Sequence, residues 1–261
     1  MSYNICNISK MKGVSMASRT FVLSDLHGHY KILLEMMKKI KFTAEDELYI
    51  LGDCNDRGLS SMKIYEYIAD HDNIHLLKGN HELMMRDAFN EECKPSPDWR
   101  LWNSNGGEKT LDSYQPYVIT EDMSEEEEMS AWKSFYKKMI DFVNSCPSYI
   151  EKKINDTQFI LVHAGFNPMK QLEEQDEEDC AWMREWFYMS PGMKDKMIIF
   201  GHTPTCNLNP SSSDFNIWKD PIYNDKIGID GGLGPFETGQ LNCLCLNDMS
   251  VEVIKKHEIE D

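Results

Sequence analysis

Short apolar runs recur along the chain, and most stop at a polar cluster containing glycine or proline. Thr20-Phe21-Val22-Leu23-Ser24 ends in Asp25-Leu26-His27-Gly28-His29. Glu47-Leu48-Tyr49-Ile50-Leu51 ends in Gly52-Asp53-Cys54-Asn55-Asp56-Arg57-Gly58, and Asn73-Ile74-His75-Leu76-Leu77 ends in Lys78-Gly79-Asn80-His81-Glu82. Such runs read as buried strands. Between them the period lengthens. Ile32, Leu33, Met36, Met37 and Ile40 fall on one face of a helix from about Tyr30 to Ile40,. Ser60-Ser61 is expected to cap a second helix reaching about Asp70, and a third continues through Met84, Met85 and Phe89,. This alternation predicts an α/β sheet whose ligands gather at the carboxyl ends of the strands.

From Glu91 to Cys146 the pattern turns mostly helical. Asn105-Gly106-Gly107 reads as a turn before a helix from about Glu108 to Tyr114. Ser124-Glu125-Glu126-Glu127 is a capping box opening a long helix to about Ser145, with Trp132, Phe135, Tyr136, Met139 and Phe142 on its apolar side,. The acidic run Glu125 to Glu128 is therefore a favourable first turn. Pro147 ends the helix. Tyr149–Ile154, Asn155-Asp156 and Thr157–Val162 read as a β-hairpin running into His163-Ala164-Gly165,. Glu173 to Asp179 reads as a solvated acidic loop. Lys196–Phe200 is a strand ending in Gly201-His202-Thr203-Pro204, Lys226–Ile229 a strand ending in Asp230-Gly231-Gly232, and two antiparallel strands, Leu241–Leu246 and Val251–Ile254, close the chain.

Composition narrows the class. A chain of 261 residues, 41% hydrophobic and 27% charged, has enough apolar material for a sizeable core,. The expectation is an N-terminal extension over 1–19 and one domain over 20–261, with a helical, cap-like insertion at about 91–147. A net charge of −17 argues against nucleic acid and acidic membrane as partners,. No run is long enough to span a bilayer, and Met1 to Ser18 carries no apolar export segment; Met16 is an alternative start,. Eight cysteines without a C-x-x-C pair suggest reduced thiols in a cytoplasmic protein,. Cys54 reads as a buried inert thiol ahead of a redox-sensitive one.

The strand ends deliver Asp25, His27, Asp53, Asp56, Arg57, Asn80, His81, His163 and His202. Asp25-x-His27 is expected to set two side chains on one face of an extended segment, completing an oxygen, nitrogen, oxygen set with Asp53. Asn80, His163 and His202 form a second set, and Asp53 can serve both through its two oxygens. Mixed carboxylate and imidazole donors suit manganese, iron or zinc. Two such cations can hold a shared water, lower its pKa and bind phosphoryl oxygens. Arg57 is placed to clamp phosphate. His81 is placed to protonate a departing oxygen, with Asp56 to orient it and raise its pKa.

The ordered set SDLHG, GDCNDRG, GNHE, HAG and GHT resembles the metallophosphoesterase superfamily. Its DRG and GNHE forms are similar to the phosphoprotein phosphatase family, which includes calcineurin and the phage lambda phosphatase. The resemblance covers roughly Thr20 to Gly232. It implies a calcineurin-like β-sandwich flanked by helices, with Asp25, His27, Asp53, Asn80, His163 and His202 as ligands of two divalent metals, most simply manganese. It implies His81 as acid with Asp56 behind it, Arg57 on phosphate, and Arg184, between HAG and GHT, completing the clamp. Ser24 stands where the family usually has glycine. Asp230-Gly231-Gly232, and Asn105-Gly106-Gly107 after Trp102, look like bacterial members. The implied activity is a serine/threonine protein phosphatase using a hydroxide activated by the metal pair, without a phosphoenzyme. The second reading is a bis(5'-nucleosyl)-tetraphosphatase or other small-molecule phosphoesterase; the second motif of such enzymes usually lacks the aspartate found here at Asp56. A nuclease fits the charge poorly. A noncatalytic binding module would lack a ligand or the acid, and neither is missing.

Overall fold

The structure is a computed structural model describing residues 18–90 and 92–259. Most of the N-terminal extension expected over 1–19, including Cys6 and Met16, lies outside those residues.

Three strands and three helices alternate first: β1 (Thr20–Leu23), α1 (Tyr30–Ile40), β2 (Glu47–Ile50), α2 (Ser61–Ala69), β3 (Ile74–Leu76) and α3 (Asn80–Asp87). Three helices follow, α4 (Trp99–Ser104), α5 (Gly107–Val118) and α6 (Glu125–Ser145). The second half contains β4 (Tyr149–Ile154), β5 (Thr157–Val162), α7 (Glu177–Trp182), α8 (Glu185–Tyr188), β6 (Lys196–Phe200), β7 (Trp218–Lys219), β8 (Lys226–Gly228), β9 (Gln240–Cys245) and β10 (Val251–Lys255).

The strands form two five-stranded sheets, ordered β10-β9-β1-β2-β3 and β4-β5-β6-β8-β7. In the first, β1 pairs parallel to β2 and β2 parallel to β3. In the second, β5, β6 and β8 run parallel. Strict alternation of side chains sorts the apolar runs into two faces. Val22, Tyr49 and Leu51 meet Leu161, Ile199 and Ile227 between the sheets. Phe21, Leu23, Leu48 and Ile50 pack outward on Ile32, Leu33 and Met36 of α1 and Ile64 of α2. On the opposite outer face Ile160, Ile198 and Phe200 pack on Phe166, Phe187 and Trp218. Burial on both faces explains why these strands read as continuous apolar runs. The result is the expected sandwich of sheets flanked by helices.

Five parallel strand ends, those of β1, β2, β3, β5 and β6, point their following loops to one edge. The loops are stitched by main-chain bonds: His27 N donates to Asp53 O at 2.9 Å, and Gly201 N to His163 O at 2.7 Å. The insertion helices pack on α2 and α3. They enclose an apolar cleft of about 350 Å³ lined by Met85, Phe89, Trp99, Trp102, Tyr114 and Trp132 among others.

Several local expectations need correction. Ser60 precedes α2 but makes no side-chain cap bond. Helix α5 runs to Val118 with Pro116 inside it, past the expected end at Tyr114. The acidic segment expected as a loop folds from Glu177 into α7, because the Asp176 carboxylate accepts from Asp179 N at 2.8 Å and caps it,. β7 is only two residues long and carries no periodic signal. The Ser124 capping box forms as expected, so Glu125 to Glu128 make the first turn of α6.

Candidate active site

Glu82, the fourth residue of the GNHE run, fixes the centre of the site. It is fully buried, and its carboxylate accepts from Asp53 N at 2.8 Å, Cys54 N at 2.8 Å and Gly79 N at 2.9 Å, with the Tyr65 hydroxyl donating at 3.0 Å. One side chain thus ties the loop after β2 to the start of α3. The close approach needs Gly79: a Cβ there would lie 2.2 Å from Asp53 Oδ1. Sequence reasoning assigned Glu82 no role. Its position at the third residue of a helix, where a carboxylate can reach back to free N–H groups, was the available signal.

Asp53 is buried and presents its two oxygens to different neighbours. Oδ1 lies 3.4 Å from His163 Nε2. Oδ2 lies 3.8 Å from His27 Nε2 and 3.9 Å from His81 Nε2. Candidate donor atoms of Asp53, His163 and His202 all lie within 4.8 Å of one another, as do those of His27, Asp53 and His81. Asn80 joins the first set: its Oδ1 is 2.9 Å from His163 Nε2 and 2.8 Å from His202 Nδ1. Asp25 is buried beside them, its Oδ2 accepting from the Ser24 hydroxyl and, at 3.0 Å, from His202 N. The six expected ligands Asp25, His27, Asp53, Asn80, His163 and His202 therefore gather at one strand edge, with His81 among them.

The tautomers follow from the hydrogen bonds. His163 Nδ1 donates to Leu51 O at 2.5 Å, and His27 Nδ1 to Asn55 O at 2.9 Å. Both leave a lone pair on Nε2. The lone pair of His163 then faces the oxygens of Asn80 and Asp53, all acceptors. Converging lone pairs repel unless a cation lies among them. His202 Nδ1 faces Asn80 Oδ1, and its Nε2 is buried without a hydrogen-bond partner among the described residues. Two divalent cations fit this set: oxygen and imidazole donors face each other across Asp53, and among the described residues no cationic side chain hydrogen-bonds to the Asn80, His163 or His202 side chains.

Electrostatics agree. Burial, then the charges of Asp25 and Glu82, push Asp53 well above the ordinary carboxylate range. Burial and Asp25 do the same to Asp230. Burial holds His27 and His202 well below the ordinary imidazole range, helped by His81 and Arg57 for the first and by His163 and Arg184 for the second. The imidazoles are thus kept in the neutral form that ligates, and Asp53 would lose its proton to solvent on binding a metal.

The backbone is unusual here. Asp25 (φ 56°), His27 (φ 43°), Asp53 (φ 55°), Asp56 (φ 66°), Arg57 (φ 65°) and His202 (φ 64°) all adopt left-handed conformations. Each costs roughly 1–2 kcal/mol outside glycine, and such clustering is typical of functional sites. It corrects one expectation: Asp25-x-His27 is not extended, so strand alternation does not set the placement of its two side chains.

His81 Nδ1 lies 2.6 Å from Asp56 Oδ2, and both residues are buried. Burial pushes Asp56 up to about 7. Burial, Arg57 and His163 lower His81 well below its ordinary value, so the expectation that Asp56 raises it does not hold. Desolvation disfavours separated charges in this buried pair,.

Arg57 reaches inward. Its Nη1 is 2.9 Å from His27 Nε2 and its Nη2 3.1 Å from His81 Nε2, so it donates to imidazoles here rather than standing clear for a phosphate. Arg184 comes from the opposite flank, its Nη1 donating to the Thr203 hydroxyl at 3.3 Å. Trp182 sets its ring edge-on to His202 at 6.1 Å.

A family model described as calcineurin-like phosphoesterase matches residues 18–216, and the chain belongs to that family. The symmetrical bis(5'-nucleosyl)-tetraphosphatase of Shigella dysenteriae is 32% identical over 84 residues, 31% of this chain. The chain spans only 30% of the length of that curated relative. A solved structure described as a candidate diadenosine tetraphosphatase aligns with a TM-score of 0.57 at 15% identity, covering 92% of this chain and 95% of that one. A protein serine/threonine phosphatase of Saccharomyces cerevisiae, described as similar to human PP5, aligns with a TM-score of 0.52 at 15% identity, covering 95% and 82%. At such identities the likeness is one of fold. No described helix is long and apolar enough to cross a membrane.

Proposed function

We propose that the chain is a metal-dependent phosphomonoesterase acting on phosphoserine and phosphothreonine. Residues 20–261 would act as one catalytic domain with 91–147 as its helical insertion. The observation that carries this reading is the buried Asp56–His81 pair, 2.6 Å apart, beside two donor sets that share Asp53.

Asp25, His27 and Asp53 would hold one cation, and Asn80, His163, His202 and the other oxygen of Asp53 the second. Manganese, iron or zinc suits these donors. Bound there, the cations would neutralise phosphoryl oxygens and lower the pKa of a water towards neutrality. The residues of the chain supply the rest. Arg57 turns from the imidazoles to the phosphate, offering a planar fork of donors, and Arg184 reaches the same group from the other flank. His81 gives its Nε2 proton to the departing alkoxide while Asp56 holds the Nδ1 proton. The products are the alcohol and inorganic phosphate.

An alkoxide is a strong base and leaves slowly unless protonated, so an oriented acid is most useful for a phosphomonoester of serine or threonine. The net charge of −17 also favours a substrate whose flanks can be neutral or basic,. A second reading is supported by the Shigella relative: hydrolysis of a bis(5'-nucleosyl)-tetraphosphate. Its leaving group is a phosphate, a much weaker base, for which the acid pair matters less. Turnover of a phosphoserine peptide and of diadenosine tetraphosphate by manganese-loaded protein separates the two. The proposal expects kcat/KM higher for the peptide; a higher value for the nucleotide would replace it with the second reading.

A further inference from the structure

We infer that Trp102 and Thr110, both carried by the helical insertion, are positioning residues that hold Asp56 in register with His81. The inference rests on the proposed role of His81 as acid.

Asp56 is buried, and its carboxylate is almost fully subscribed. Oδ1 accepts from Trp102 Nε1 at 2.9 Å, the Thr110 hydroxyl at 2.6 Å and Asn55 Nδ2 at 3.1 Å. Oδ2 accepts from His81 Nδ1 at 2.6 Å and shares the Trp102 N–H at 3.1 Å. Thr110 Oγ1 also accepts from Asp56 N at 2.8 Å. One hydroxyl thus braces both the side chain and the backbone of a residue held at φ 66°. A left-handed aspartate has no intrinsic reason to keep that conformation, so the brace decides where the carboxylate points.

The surrounding chain is shaped to deliver these two groups. Gly106 O accepts from Arg57 N at 3.3 Å, and a Cβ on Gly106 would lie 2.7 Å from that nitrogen. Gly107 sits against the Trp102 ring so closely that a Cβ would lie 2.5 Å from it. Trp99 and Phe89 stand edge-on to that ring, with centroids at 5.5 Å and 5.8 Å. The segment Trp102 to Thr110 therefore wraps the Asp56-Arg57 turn, with one indole N–H and one hydroxyl aimed at a single carboxylate. Both donors are neutral, so they fix its direction without supplying a counter-charge. A carboxylate left free to rotate would let the His81 ring turn, and proton delivery to the leaving oxygen would suffer before phosphate binding did.

The test compares substrates that differ in their need for the acid. Trp102→Phe keeps the ring and removes the N–H; Thr110→Val keeps the shape and removes the hydroxyl; Thr110→Ser restores it. Each is assayed with manganese-loaded full-length protein on p-nitrophenyl phosphate, whose leaving group needs little protonation, and on a phosphoserine peptide. A general acid contributes on the order of 10²- to 10⁴-fold. Trp102→Phe and Thr110→Val are expected to lose about 10-fold or more in kcat on the peptide and under about 3-fold on the aryl ester, on the scale that such a contribution sets. Thr110→Ser is expected to recover most of the loss, and His81→Asn to give the same split, larger. Equal losses on both substrates, or none, in Thr110→Val would overturn the inference while the split in His81→Asn persists. Equal losses in His81→Asn would instead remove the acid role itself. Should Trp102→Phe fold poorly, the Val and Ser variants at position 110 decide alone.

Discussion

Glu82 accepts the backbone N–H of Asp53 at 2.8 Å, so the residue placed between the two donor sets is held by its main chain from below. The opposite carboxylate oxygen serves Cys54 N and the Tyr65 hydroxyl. Every neighbour of this carboxylate is a donor, and that makes glutamine a poor substitute: whichever way its amide is turned, an NH2 group meets a donor. Glu82→Gln is expected to lower stability by roughly 3 kcal/mol, in line with loss of charged hydrogen bonds and stranding of buried N–H groups. Urea unfolding of metal-free and manganese-loaded protein measures it. A change below about 0.5 kcal/mol, the range of ordinary surface substitutions, would show that the loop after β2 is held by something else.

The raised pKa of Asp56 carries a stability signature. Its folded value, about 7, exceeds the ordinary 3.8, so the folded state binds this proton more tightly than the unfolded state does. The contribution is complete below about pH 4 and is lost as pH rises to about 7. Wild-type protein minus Asp56→Asn should therefore show a stability difference that declines across that window. Metal-free unfolding curves at several pH values check it, and a difference that grows with pH would contradict the burial argument. The histidines act in the other direction. His27, His81 and His202 are held low, so their contribution is present above about pH 6.5 and is lost on acidification,. His27 and His202 are common to both proteins and cancel in the comparison, whereas His81 touches Asp56 and its change is carried in the difference,.

The two arginines should separate kinetically. Arg57 already spans His27 and His81 with both terminal nitrogens, a fork that lysine cannot reproduce,. Arg57→Lys is expected to lower kcat/KM on p-nitrophenyl phosphate by about 100-fold, on the scale of a lost bidentate charged contact, and Arg184→Lys by about 10-fold. Steady-state kinetics on the loaded protein give both numbers. If Arg184→Lys has no effect, the phosphate is held by Arg57 and the cations without it.

Much of this arrangement was legible in the chain because parallel strands buried on both faces announce themselves as short apolar runs. Each of those runs ended in its polar cluster, so Asp25, Asp53, Asn80, His163 and His202 could be placed at one edge before any coordinates. What stayed hidden depends on contacts that no local period encodes. Trp102 and Thr110 lie 46 and 54 residues from Asp56, and nothing in a helical pattern marks an indole or a hydroxyl as aimed at a distant carboxylate. Glu82 looks like any first-turn glutamate until the loop it ties is seen. The left-handed turn at Asp25 and His27 was missed because alternation presumes an extended chain. Helix α5 was expected to end at about Tyr114, yet it runs to Val118 with Pro116 inside it.

The central claim is that two cations share Asp53, and counting metal on the purified chain tests it most directly. Elemental analysis after manganese loading, with anomalous scattering to locate the ions, should give two per chain, one on each side of Asp53, and Asp53→Asn should retain fewer than one. A single ion per chain, or two that do not both touch Asp53, would contradict the account.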